Sequence, residues 1–151
     1  KVRHLTTSAL ALILIAGCGD DTGTDAEAEE TSVEADDIAG TWTATSMLFT
    51  QTAAPNATED PVVDGGAVLT LVLNATGTYA FTFVLAPENE AEAGAYTVSG
   101  STITITPTCG TAESFGIERK DVDTMTLTGD ASSDFGSGTE EAASMVITLT
   151  R

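Results

Sequence analysis

Residues 68–85 read VLTLVLNATGTYAFTFVL. Two runs rich in β-branched and aromatic residues flank Asn74-Ala75-Thr76-Gly77, which spells a hairpin with a short glycine-containing loop. Side chains alternate between the two faces of a strand. In the second run Tyr79, Phe81, Phe83 and Leu85 therefore share one face. In the first, Leu69, Leu71 and Leu73 share another, while Val68 and Val72 give the reverse side some apolar character.

The same texture continues on both sides of this hairpin. Residues 93–98 and 101–106, joined by Ser99-Gly100, form a second hairpin with Ile103 and Ile105 inward and threonines outward. Residues 121–128 and 143–150 form a third, with Met125 and Leu127 facing Met145, Ile147 and Leu149. Residues 41–50 supply an opening strand, and 113–118 add a short one. Threonine alternating with apolar residues favours strands throughout. About eight strands on short turns, without a helix, predict an all-β domain. A small antiparallel up-and-down β-barrel or curved meander is the expected closure, with a β-sandwich as the alternative.

The segments before this domain read differently. Lys1 and Arg3 precede the apolar run 9–17, which ends in small residues at Cys18. A basic start, a short apolar stretch and small residues before a cut make a secretory signal. Nine residues fall well short of the roughly 20 that span a bilayer as a helix. Ile15-Ala16-Gly17-Cys18 resembles the lipobox of bacterial lipoproteins. That resemblance implies cleavage before Cys18 and a diacylglycerol thioether on its sulfur. It makes residues 1–17 a signal peptide and puts the protein outside the cytoplasm on a lipid anchor. Gly19 follows the cysteine, where an aspartate often retains lipoproteins in the inner membrane. The expected place is the outer membrane in a two-membrane cell, and otherwise the outer face of the cell membrane. Residues 18–37, GDDTGTDAEAEETSVEADD after the cysteine, hold no base and a single large aliphatic side chain, Val33. Such a stretch buries too little apolar surface to offset its ordering entropy and extends by self-repulsion. It is expected to be a disordered tether for the domain at 38–151.

The formal net charge is −18. Cleavage before Cys18 would leave Arg119, Lys120 and Arg151 as the basic side chains against 23 acidic ones. That surface repels phosphate backbones and excludes a nucleic-acid partner. His4, the single histidine, lies in the leader. The remaining chain has no histidine for a triad, a Cys–His pair or a zinc site, and no phosphate loop with its lysine. No enzyme activity and no cofactor are expected. With Cys18 lipidated, Cys109 has no partner for a disulfide, and it reads as a small, partly buried residue.

Gly40-Thr41-Trp42 matches the Gly-x-Trp signature of lipocalins. Gly77-Thr78-Tyr79, residues 94–100 (GAYTVSG) and Ile103-Thr104-Ile105 also resemble bacterial lipocalin-like domains. The resemblance covers most of residues 38–151. It implies that Trp42 plugs one barrel end with a late arginine packed across it, Arg151 first and Arg119 second. It also implies a cup for small apolar molecules.

Two sites follow for testing. Tyr79, Phe81, Phe83 and Leu85 either line such a cup or fill the barrel solidly. Asp130, Ser132, Asp134 and Glu141 fall at positions one, three, five and twelve of a calcium-loop pattern. Phe135 occupies the glycine position of that loop, so a specific metal site is not expected. The sequence therefore predicts a membrane-anchored envelope lipoprotein with a noncatalytic lipocalin-like barrel that binds a small hydrophobic ligand. The alternative is a solid-cored structural or interaction module whose partner is an envelope protein.

Overall fold

The computed structural model describes residues 34–151. The leader, Cys18 and residues 19–33 of the tether lie outside the described residues. One helical turn, α1 (Ala35–Ile38), precedes β1 (Gly40–Gln51), β2 (Thr58–Glu59), β3 (Val68–Asn74), β4 (Thr78–Leu85) and β5 (Glu88–Ser99). Then come β6 (Thr102–Pro107), β7 (Glu113–Arg119), β8 (Thr124–Ser133) and β9 (Glu141–Thr150). Every pairing is antiparallel, and strands from β3 onward pair with their sequence neighbours. β1 pairs with both β3 and β9, which closes eight strands into an up-and-down barrel; β2 is a two-residue rung on β1. Closure removes the exposed edges that an open sheet would leave. It also decides against the sandwich.

The hairpin at residues 68–85 forms in full register, with Leu69 opposite Phe83, Leu71 opposite Phe81 and Leu73 opposite Tyr79. Leu69, Leu71, Leu73, Met125, Leu127, Met145, Ile147 and Leu149 are buried together. Val68 and Val84, paired on the outer face, are exposed.

Three departures from the sequence reading matter. α1 starts at Ala35, upstream of the expected domain start, and carries Ile38 into the core. β5 begins at Glu88 rather than near Ala93, because Glu-Asn-Glu-Ala-Glu-Ala has low β-propensity and joins the sheet only by pairing with β4. β8 runs on to Ser133 and β9 begins at Glu141, so three of the four calcium-loop residues lie in strands. Strand geometry divides that pattern. Asp130 pairs with Ser144 and is exposed, whereas Glu141 pairs with Ser133 one step out of phase, on the other face. The Ser132 hydroxyl donates to Glu140 over 2.9 Å, and Asp134 accepts from the Gly136 amide. Among the described residues no three acidic or cysteine side chains converge to hold a metal ion. The structure thus does not bring Asp130, Ser132, Asp134 and Glu141 together.

Two stretches of the wall lack a second neighbour. β1 pairs with β3 only from Gly40 to Thr43, so its later half has a free side that the chain from 52 to 67 must cover. Asp60, buried to 7 % exposure, fixes that cover. Its carboxylate accepts from the Ser46 hydroxyl (2.6 Å) and the amides of Met47 (3.0 Å), Val62 (3.1 Å) and Val63 (3.1 Å). In the same way residues 89–92 of β5 have β4 as their ladder partner, since β6 meets β5 only from Gly94 onward and Thr108 reaches back only to the Ala93 carbonyl.

Candidate functional site

The barrel has two unlike ends. At the first lie the start of β1, the β3–β4 turn and the end of β9. Trp42 is fully buried there, and its indole Nε1 donates to the Ile38 carbonyl over 2.8 Å. The α1 turn thus lies across the Trp42 end of the barrel. The Tyr96 hydroxyl ties the same end, donating to Asn74 O (2.8 Å) and reaching Ala35 O (3.4 Å). The Arg151 guanidinium stands 4.7 Å from the Trp42 ring centroid. It also donates to Ala39 O at 3.1 Å and lies 3.7 Å from the Asp123 carboxylate. Arg119 instead reaches Asp37 at 3.5 Å. Gly40 belongs to this arrangement because its φ is +152° and a Cβ there would meet Arg151 at 3.3 Å.

The second end is hollow. A cavity of about 510 Å³ lies inside the barrel, walled by Leu69, Leu71, Tyr79, Phe81, Ile105, Phe115, Leu127 and Ile147. A second space of about 290 Å³ opens beside it towards the rim and shares Met47, Phe81 and Glu90 with it. Phe83 and Leu85 line this outer space. The stripe Tyr79, Phe81, Phe83 and Leu85 therefore borders hollow space along its whole length rather than closing on itself. Gly94 makes room at the deep end. It sits opposite Tyr79, and a Cβ there would come within 2.9 Å of the tyrosine ring and 2.1 Å of Thr106 O.

The polar groups of the cup come from positions that sequence reading passed over. β5 places Glu88, Glu90 and Glu92 opposite Leu85, Phe83 and Phe81. Period-two alternation carries the three glutamates to the same side as those apolar partners. β7 adds Glu113 opposite Ile105. Tyr79 donates its hydroxyl proton to Glu92 at 2.5 Å. Burial pushes the tyrosine pKa well up, and Glu92 and then Glu113 push it further. Burial likewise raises the Glu113 carboxyl above its ordinary value, with the Glu92 charge adding to it. The signal that could have found these residues is register: extending β5 back against β4 puts a glutamate opposite Phe81, Phe83 and Leu85.

Asn89, Glu90, Ala91 and Glu92 all border the larger cavity. Four successive residues can do so only if the strand presents an edge as well as a face. The unpaired edge of β5 thus forms one side of an opening. Pro107 and Glu113 border the cavity from across the gap. Cys109 lies in the loop beyond Pro107 and is exposed, not partly buried as expected, because that loop runs past the end of the sheet.

No curated protein and no solved structure showed a significant match to the chain. A family model described as a lipocalin-like domain matches residues 38–139. That match spans most of the chain and agrees with the closed eight-stranded barrel. The chain belongs to the lipocalin-like domain family.

Proposed function

We propose that this protein is an envelope lipoprotein whose barrel binds a small hydrophobic ligand without catalysis. The observation that carries the binding reading is the cavity of about 510 Å³ behind apolar and aromatic walls. Its size falls in the range that encloses small organic molecules, which bind mainly by apolar burial with a few polar contacts. A solid interaction module would have no need of such a hollow, since barrels of eight strands are readily filled by their own side chains. The noncatalytic reading rests on the absence of histidine after His4.

Native mass spectrometry of the protein released from its own envelope tests binding. A reproducible added mass that vanishes on denaturation is expected. Apo-protein only, with no shift on a panel of lipids, returns the reading to an interaction module.

Anchoring rests on Ile15-Ala16-Gly17-Cys18 alone. Two or more acyl chains hold a protein stably, at about 0.8 kcal/mol per buried methylene. Cys18→Ser should abolish labelling by a fatty-acid analogue in cells and move the protein from membrane to soluble fractions. Unlabelled protein that stays on the membrane would remove the lipobox reading.

A further inference from the structure

The three basic side chains among the described residues all lie at the Trp42 end. Arg119 reaches Asp37, Lys120 lies 2.5 Å from Glu118, and Arg151 is held by Trp42, Ala39 and Asp123. Strand direction puts the cup's glutamates at the opposite end: β5 and β7 both start there, and β7 ends at Arg119. Among the described residues, Glu90, Glu92 and Glu113 therefore border the hollow and none of the three bases does. Glu92 and Glu113 are close enough to raise the cost of ionising Tyr79 together, and Glu92 makes Glu113 harder to ionise. Glu92 is exposed at the opening and Glu113 is half-buried at the apolar wall, so the desolvation falls on Glu113 and the neighbouring charge adds to it. A positive charge between them relieves both costs, whereas an anionic headgroup adds to them.

We propose that the cup takes a hydrophobic organic cation, an amine with an apolar body, its charge between Glu92 and Glu113 and its body against Phe81, Phe115 and Leu127. The cavity is the site, and the glutamates set what it can hold. The aromatic wall suits the same ligand, because ring faces attract cations and ring bodies pack on apolar groups. A bare metal ion fits poorly, since most of the lining offers no oxygen and no three acidic side chains converge among the described residues. The opening beside the unpaired edge of β5 is flanked by the same two glutamates, so the charge is read where the ligand enters.

This inference rests on the ligand-binding reading above, and one calorimetric series at physiological salt separates the two. The full chain is titrated with decylamine, 1-decanol and decanoate, which share an apolar tail and differ in charge. Decylamine is expected to bind at least about tenfold more tightly than either of the others. Glu92→Gln combined with Glu113→Gln should weaken decylamine at least about tenfold and leave 1-decanol within about twofold. Retained binding of 1-decanol reports that the variant is folded. Asp130→Asn removes an exposed charge outside the cup and should leave all three unchanged. Equal binding of amine and alcohol, or preference for decanoate, overturns the cation inference and leaves ligand binding standing. An equal loss of decylamine binding in Asp130→Asn overturns it too, since the chain's overall charge would then explain the preference. Binding of none of the three removes both readings.

Discussion

Trp42→Ala is expected to lower the unfolding free energy by about 3–5 kcal/mol, the range for emptying a buried aromatic site. The measurement is urea unfolding at pH 7, followed by circular dichroism because the fluorophore is lost. Three losses coincide at this position. The fully buried ring leaves a void between the α1 turn and the barrel. The Ile38 carbonyl loses its indole donor at 2.8 Å. Arg151 loses the ring face 4.7 Å away, a contact of about 0.5–2 kcal/mol depending on its exposure. For a domain of this size the melting temperature should fall by more than about 10 °C. Trp42→Phe separates the terms, since it keeps most of the packing and removes the hydrogen bond, and it should cost distinctly less. A Trp42→Ala protein of unchanged stability would show that this end of the barrel holds without its tryptophan. Because the cup lies at the other end, a Trp42→Phe protein should keep its affinity for decylamine and 1-decanol.

How much of this was legible in sequence depended on where packing and propensity agree. The hairpin at residues 68–85 announces itself because the same residues that prefer strands also face the core. Gly40 and Trp42 were legible through family resemblance, and Arg151 through the partner that resemblance implies. Glu90, Glu92 and Glu113 were not. Glutamate is a poor strand former, and an acidic run ordinarily marks a solvated face. Here the run is held in the sheet by its aromatic partners on β4, so its charge points at a hollow. The calcium-loop pattern failed for the opposite reason. Spacing along a chain says nothing of geometry once strand pairing, rather than a loop, sets the positions. Asp60, just before Pro61, serves the turn through Val62 and Val63. Its reach to Ser46 and Met47 on β1 follows from a gap in the β1–β3 ladder that no local pattern reveals.

That gap makes Asp60 the second position where a large effect is expected. Asp60→Ala removes the acceptor of three backbone amides and one hydroxyl at a site only 7 % exposed. Hydrogen bonds to a charged group contribute about 1.5–3 kcal/mol each, and water can replace some of them at the rim, so about 3–4 kcal/mol of stability should be lost. The effect should also depend on pH, with a defined sign. Burial alone would raise the carboxyl's pKa. The Ser46 hydroxyl and the Met47, Val63 and Val62 amides outweigh it by favouring the ionised form, so the pKa lies below its ordinary value. A folded-state value below the unfolded one gives stability that is fully present above about pH 4 and drains as pH falls through the lowered value. Asp60→Asn keeps the shape and one acceptor oxygen but cannot titrate. Because many other carboxylates ionise over the same range, the informative quantity is the difference between wild type and Asp60→Asn. It should be constant from pH 7 to about pH 5 and shrink progressively below about pH 4. A difference that stays flat into strong acid would mean that the carboxylate's charge is irrelevant. The seam between β1 and β3 would then be closed by the packing of residues 52–67 rather than by its one buried anion.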